Sequence, residues 1–119
     1  MQEKIYDFEE RLVRFAGEVI YFSRKLERNY ETDYYKHQLI RSSGSSALNY
    51  GEAQGTVTDK DFINKTSLTT KELKESRISL KILTYIKAGE KAKREWLINE
   101  VSELIAIASK MILNKKEVN

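Results

Sequence analysis

The chain has 119 residues, of which 33% are charged and 40% hydrophobic, and it contains neither proline nor cysteine. The absence of cysteine excludes disulfide frameworks, cysteine-ligated zinc sites and thiol nucleophiles. With a mean hydropathy of −0.58, no stretch approaches the roughly 18 apolar residues that span a membrane. Because helix interiors exclude proline whereas turns between strands favour it, its absence predicts an all-helical protein.

The first predicted helix, about residues 3–28, carries large apolar side chains at alternating spacings of three and four residues. They are Ile5, Phe8, Leu12, Phe15, Val19, Phe22 and Leu26. Asn29 tolerates the left-handed conformation of a helix C-cap, and Thr32 or Asp33 can cap the next helix. This spacing predicts a short loop between antiparallel helices.

The second predicted helix, about residues 33–53, has a thinner face made largely of small side chains. Its serine- and glycine-rich run at residues 42–46 is also compatible with a flexible linker, because both residue types are poor helix formers. Helical spacing continues through the run and favours the helix.

The third predicted helix, about residues 59–87, begins after Thr58, which forms a capping-box-like pair with Asp61, and ends before Gly89. The fourth, about residues 91–114, repeats a heptad of apolar residues and leaves a frayed tail at 115–119. Four helices with short loops predict an all-α fold, an antiparallel up-down-up-down four-helix bundle that forms one domain over residues 1–119.

Further apolar residues lie away from these core stripes. Several recur at spacings of three and four, although isolated apolar residues are also normal on protein surfaces. We therefore predict a homo-oligomer, a closed ring or a symmetric dimer, with subunits in contact through this second surface. Its predicted residues are Leu48, Ile78, Ile82, Tyr85, Ile86 and Trp96.

The chain offers few groups that could perform catalysis. His37 is the single histidine, and no serine is surrounded by the glycines of a nucleophile elbow. The Glu-x-x-Glu pairs at 72–75 and 100–103 lack the histidines of a di-iron bundle, and we interpret them as solvated helix faces. We predict a protein that is not an enzyme and has no metal site or cofactor. Because residues 1–10 contain no apolar secretory core, we expect a cytoplasmic location.

Positive charge is concentrated on the third helix. The formal net charge of the chain is +3, and residues 58–88 alone hold seven basic and four acidic groups. A basic strip there could bind the phosphates of RNA or DNA by counterion release, although mixed charges also simply solvate a helix. The candidate residues are Lys60, Lys65, Lys71, Lys74, Arg77 and Lys81.

The centre of the chain resembles a family of bacterial four-helix-bundle proteins. This family, the 23S rRNA intervening-sequence proteins, was first noticed as products of intervening sequences in large-subunit ribosomal RNA genes and is often labelled ribosomal-protein-like. Its ordered polar pattern matches Gln38, Arg41, Asn49, Glu52, Asp61, Lys71, Glu72, Glu75 and Arg77. The sequence departs from the pattern at Ser46 and Ala47, where many members carry Ser-Ile followed by a small residue or proline.

The resemblance implies a homopentameric ring with no established catalytic activity. The architecture is also similar to the accessory variability determinant of diversity-generating retroelements, a basic pentameric bundle that works with a reverse transcriptase and nucleic acid; this is an analogy at the level of the fold.

We therefore predict an oligomeric scaffold or accessory protein that contacts nucleic acid through its third helix. The alternative is a small-ligand or metal-dependent activity at Arg41, Asn49, Glu52 and Glu75 or at the subunit interface.

Overall fold

The structure, a computed structural model, describes residues 7–118. It contains four helices, α1 (Phe8–Arg24), α2 (Tyr30–Gln54), α3 (Asp59–Tyr85) and α4 (Lys91–Val118), and no strand occurs in this part of the chain. Helix α2 packs between α1 and α3, and α4 closes the bundle by packing on α3 and α1. The all-α up-down bundle predicted from the sequence is confirmed.

The core consists of the apolar stripes that the sequence pattern indicates. In α1, Phe8, Leu12, Phe15 and Val19 are completely buried, and Phe22 is nearly so. The predicted start of this helix at residue 3 and its first stripe residue at position 5 lie outside the described residues. Helix α4 buries the predicted heptad residues Leu97, Val101, Leu104 and Ala108.

Small polar side chains fill the contact between α2 and α3. The hydroxyls of Ser42 and Ser76 lie 2.6 Å apart, and Thr69 donates to the carbonyl of Ser46 at 3.1 Å. The Ser46 hydroxyl in turn donates to the carbonyl of Ser43 on its own helix. Because these hydroxyls find acceptors, Ser42, Ser43 and Ser46 are buried within a helix, and α2 is continuous where a linker was the alternative.

The loop between α1 and α2 differs from the prediction at both ends. Helix α1 ends at Arg24, four residues before the predicted end, and α2 begins at Tyr30, three residues before the predicted start. Asn29 has an extended backbone, φ −156°, and its side chain accepts a hydrogen bond from the backbone N–H of Thr32 at 2.9 Å. It is therefore the N-cap of α2, since its oxygen satisfies a free N–H of the first turn.

The third helix has a confirmed cap at its start and a changed boundary at its end. Thr58 caps α3 as predicted by accepting from the backbone N–H of Asp61 at 3.1 Å. Helix α3 ends at Tyr85 instead of residue 87, because the chain turns through left-handed conformations at Lys87, φ 59°, and Gly89, φ 76°.

Helix α4 continues to Val118, so the frayed tail predicted from residue 115 is wrong within the described residues. The ammonium group of Lys115 lies 5.1 Å from the centre of the Phe62 ring and 3.3 Å from Asp59 Oδ1. Contacts with the start of α3 thus extend the packing of the last helix beyond its apolar stripe.

In both Glu-x-x-Glu pairs, the carboxylates accept hydrogen bonds from an arginine of a neighbouring helix, which is Arg11 for 100–103 and Arg41 for 72–75. Arg11 of α1 donates to Glu100 at 2.9 and 3.1 Å and to Glu103 at 2.9 Å. The hydrogen bond to Glu100 is the main cause that raises the pKa of Arg11, and partial burial opposes it. The interpretation of these glutamates as merely solvated is wrong, since they join α4 to α1.

Candidate nucleic-acid interface

Four lysines lie along the outer face of α3. At about 100° per residue, Lys60, Lys71, Lys74 and Lys81 fall within about 80° of the helix circumference, and all four are exposed. None of them makes an ion pair within residues 7–117. These four residues, the lysine strip, can therefore present their charges to a polyanion.

The two other basic residues predicted for this face lie on its flanks. Lys65 places its ammonium nitrogen 2.6 Å from a carboxylate oxygen of Glu52 on α2. Arg77 is turned towards α4, with its guanidinium 3.5 Å from the hydroxyl of Ser102. The structure thus brings four of the six predicted residues together and leaves Lys65 and Arg77 apart from them.

A groove of about 710 Å³ runs between α2 and α3 beside the lysine strip. Tyr34, Gln38 and Arg41 line its α2 wall, and their spacing of four and three residues puts them on one face of the helix. Lys71 and Lys74 line its α3 wall. We call this feature the α2–α3 groove; its strip lysines connect it directly to the outer face of α3.

Arg41 is fixed in this groove by carboxylates from the opposite helix. Its guanidinium donates to Glu75 at 2.6 Å and to Glu72 at 3.3 Å. The hydrogen bond to Glu75, with the charge and hydrogen bond of Glu72, raises the pKa of Arg41. The side chain is still 45% exposed. Arg41 therefore contributes an oriented planar cation whose charge is largely balanced by its two partners.

The apolar residues predicted for a second surface concentrate at the C-terminal end of α3. Ile78 lines the α2–α3 groove and is 56% exposed, while Tyr85 is 88% and Ile86 46% exposed. Ile82 is partly buried. The lysine strip and these apolar residues therefore share one helix and meet at Ile78.

The two other residues of that predicted surface lie elsewhere. Leu48 is exposed on α2, seven residues beyond Arg41 and hence on the same helix face. Trp96 of α4 packs against the core, with the guanidinium of Arg14 at 5.1 Å and the ammonium of Lys93 at 5.5 Å from its ring centre. Because Arg14 belongs to α1, Trp96 lies on the α1–α4 side, and the structure does not bring it together with the α3 residues.

Groups for metal or acid–base chemistry are sparse. The described residues contain no cluster of three or more histidine, aspartate or glutamate side chains that could hold a metal ion. His37 lines a separate groove between α1 and α2 together with Ser23 and Asp33, but none of the hydrogen bonds within residues 7–117 joins these side chains. No helix in the described range has the length and apolarity needed to cross a membrane.

The comparisons with known proteins agree with the resemblance carried by the polar pattern. The family model described as 23S rRNA-intervening sequence protein matches residues 6–110. The chain belongs to this family. No curated protein matches the chain.

A solved structure supports the fold of this family member. The chain is similar, with a TM-score of 0.80 and 21% sequence identity, to the solved structure of a Bacteroides thetaiotaomicron protein of unknown function from the S23 ribosomal protein family. The match covers 88% of this chain and 97% of the other. At that identity the similarity shows the fold alone. Neither the family nor this neighbour bears the name of an enzyme.

The polar residues of the family pattern have different positions in this 23S rRNA-intervening sequence protein. Arg41 and Glu52 form ion pairs that cross-link α2 and α3. Asn49 instead donates to a carbonyl one turn earlier in α2, at 3.0 Å, and Asp61 is exposed in the first turn of α3. Gln38 lines the α2–α3 groove. Only part of the pattern therefore joins the two helices.

Five residues of the α2–α3 groove are not among the site residues predicted from the sequence: Tyr34, Tyr35, Ser67, Thr70 and Ser79. Tyr35 packs its ring edge-to-face on Tyr34, with ring centres 5.0 Å apart. A search for polar and aromatic residues at helical spacing around Arg41 would have found the α2 tyrosines, because Tyr34 lies seven residues before it. The α3 hydroxyls carry no such signal.

Proposed function

We propose that this protein is a non-enzymatic, homo-oligomeric four-helix bundle that acts as a scaffold or accessory factor and contacts RNA or DNA through α3. The observation that carries the proposal is the lysine strip, whose four exposed ammonium groups have no ion-pair partner within residues 7–117. The glutamates of α3 are engaged by Arg41 instead. When unpaired lysines neutralise phosphates, the counterions condensed on the nucleic acid are released, which favours binding.

Assembly into an oligomer would strengthen the binding of a polyanion by a chain whose net charge is only +3. Exposed Tyr85 and Ile86 at the end of α3 support a contact between subunits, because exposed apolar residues grouped in one place often mark an interface. A ring, a pentamer by the family resemblance, would repeat the lysine strip in each subunit and raise the avidity for a long polyanion. RNA and DNA both present the phosphates that this strip would contact, and RNA is tested first. The proposal includes a cytoplasmic location.

A salt titration tests the proposal. The affinity of the intact protein for a labelled 20-nucleotide RNA is measured at several KCl concentrations, and the mass of the protein is measured by light scattering under the same conditions. If the four strip lysines of one subunit contact phosphates of single-stranded RNA, the logarithm of the affinity falls against the logarithm of salt with a slope of about −3, and the slope is steeper where one RNA contacts several subunits. Absence of binding at 50 mM KCl would contradict the proposal.

A second candidate function is the binding of a small ligand in the α2–α3 groove. A volume of about 710 Å³ is within the usual range of ligand pockets, and Arg41 and Gln38 supply oriented polar groups. A mononucleotide or another small anion would then bind without the steep salt dependence of a polyanion. A metal-dependent version has no ligand cluster in the described residues to support it.

A further inference from the structure

The two walls of the α2–α3 groove differ in chemistry. The α2 wall carries the flat side chains of Tyr34 and Arg41, with the Gln38 amide between them. The α3 wall carries the ammonium groups of Lys71 and Lys74. A nucleotide is complementary to these two walls, since its flat base with hydrogen-bonding edges is joined to a charged phosphate.

Tyr34 is held in position at the groove although its side chain is accessible. It is 49% exposed, and its ring meets the ring of Tyr35 at an interplanar angle of 87° with 5.0 Å between ring centres. Tyr35 in turn packs against the core. An accessible ring whose position is already restricted loses little conformational entropy when a base stacks on it.

Arg41 is the second flat group on this wall. The carboxylates of Glu75 and Glu72 hold its guanidinium, which is a planar group able to stack on aromatic rings. It lies seven residues from Tyr34, about 10 Å along the helix axis.

Lys71 and Lys74 supply charge complementarity on the opposite wall. Both are exposed strip lysines without an ion-pair partner within residues 7–117, and they are one helical turn apart. The exposed Ser67 lies one turn before Lys71 in the same wall and adds a hydroxyl donor for a phosphate or ribose oxygen.

We propose that the α2–α3 groove binds single-stranded nucleic acid, with a base stacked on Tyr34 and the adjoining phosphates at Lys71 and Lys74. The inference rests on the proposed function and adds the strand type and the groove to it. A single strand is required because bases in a duplex are already stacked and do not offer a face to an aromatic side chain. Sequence preference is weak, since every base has a face that can stack.

The test uses the full chain and a fluorescein-labelled 12-nucleotide oligouridine in a polarisation assay. Tyr34→Ser removes the stacking ring, and the expected loss of affinity is about 5- to 100-fold, as for other base-stacking aromatics. The slope against salt stays unchanged, because no charge is removed. Tyr34→Phe keeps the ring and retains the affinity. Tyr30→Ser is the matched control, because Tyr30 lies one turn earlier on α2, is 83% exposed and is outside the groove.

The possible outcomes separate this inference from the proposed function. If wild type binds but Tyr34→Ser binds equally well, or loses no more than Tyr30→Ser, the groove inference is overturned and the proposed function stands. Competition by a duplex of the same length, or by uridine monophosphate at equal concentration, also overturns it. If wild type binds no nucleic acid at 50 mM KCl, the proposed function itself fails. Circular dichroism of each variant confirms that the helices are retained.

Discussion

Lys74 and Ile78 lie one helical turn apart on α3 and line the same groove against α2. A charge proposed to meet phosphates and an apolar side chain proposed to meet another subunit are therefore neighbours. Substitutions at Lys74 would disturb both features at once. The two functions are separated better at the start of α3, where Lys60 is about 27 Å along the helix from Ile78.

The first prediction concerns assembly. Tyr85→Glu should dissociate the oligomer, because an unpaired carboxylate would have to be buried in the subunit contact. Since Tyr85 is 88% exposed within one subunit, the fold of the monomer should be unaffected. Light scattering at low micromolar concentration measures the mass, and RNA affinity should fall by about 100-fold or more as avidity is lost.

The matched control for assembly is Val57→Glu. Val57 is 96% exposed in the loop before α3, outside the proposed contact, so this variant adds the same charge without changing the mass. A wild-type protein that is already monomeric at these concentrations, or an intact oligomer of Tyr85→Glu, would contradict the prediction.

The second prediction uses two lysines in the first turns of α3. Lys60 belongs to the lysine strip, whereas Lys65 is paired with Glu52 at 2.6 Å. Lys60→Ala should reduce the magnitude of the salt slope for single-stranded RNA by about 0.7 for each subunit that the RNA contacts, because one phosphate contact is lost per subunit. Lys65→Ala should leave it unchanged. Equal effects of the two substitutions in the same polarisation assay would show that general charge, and not the strip, determines binding.

The helices and their core faces could be predicted because apolar periodicity records which side of each helix is buried. The helix ends were harder, since Asn29 is compatible with either kind of cap and the choice depends on whether Thr32 offers a free N–H. Residue type alone does not decide between the two roles. The fold was therefore predictable to within a few residues at most boundaries.

The electrostatics of the site could not be predicted in the same way. Arg11 and Glu100 are 89 residues apart in the chain, and Arg41 and Glu75 are 34 apart. Such partners are brought together by helix packing, and no local spacing encodes them. Lys65 lies about 140° around α3 from Lys60, so helical spacing already separates it from the strip. Only its partner, Glu52 of the adjacent helix, depends on the packing.

The third prediction concerns alkaline pH. Burial, with the nearby charge of Glu9, raises the pKa of the Tyr50 hydroxyl above its ordinary value of 10.0, while a hydrogen bond with Gln54 opposes this. The folded state thus favours the protonated phenol. The corresponding stability is present below pH 10 and is lost as the pH rises through the higher pKa of the folded state.

Urea unfolding between pH 8 and 11 measures this effect. The free energy of unfolding of wild type should fall more steeply above pH 10 than that of Tyr50→Phe, which has no proton to lose. Tyr30→Phe, which removes an exposed hydroxyl, is the matched control and should follow wild type. Parallel curves for wild type and Tyr50→Phe would contradict the assignment.

The last prediction concerns the turn between α3 and α4. Gly89 has φ 76°, and a Cβ at this position would lie 2.6 Å from the Phe22 ring and 2.8 Å from Leu26. Gly89→Ala combines left-handed strain with overpacking of two core residues, so the free energy of unfolding should decrease by about 2 kcal/mol or more. Urea denaturation at neutral pH measures the change.

Gly51→Ala is the matched control for Gly89→Ala. Gly51 is exposed within α2, and a Cβ there would meet nothing within 4 Å. Alanine is the better helix former, so this variant should gain about 0.5–1 kcal/mol. Opposite signs for the same chemical change would show that the left-handed backbone at Gly89 and its close approach to Phe22 and Leu26 together require glycine. A neutral Gly89→Ala would contradict the prediction.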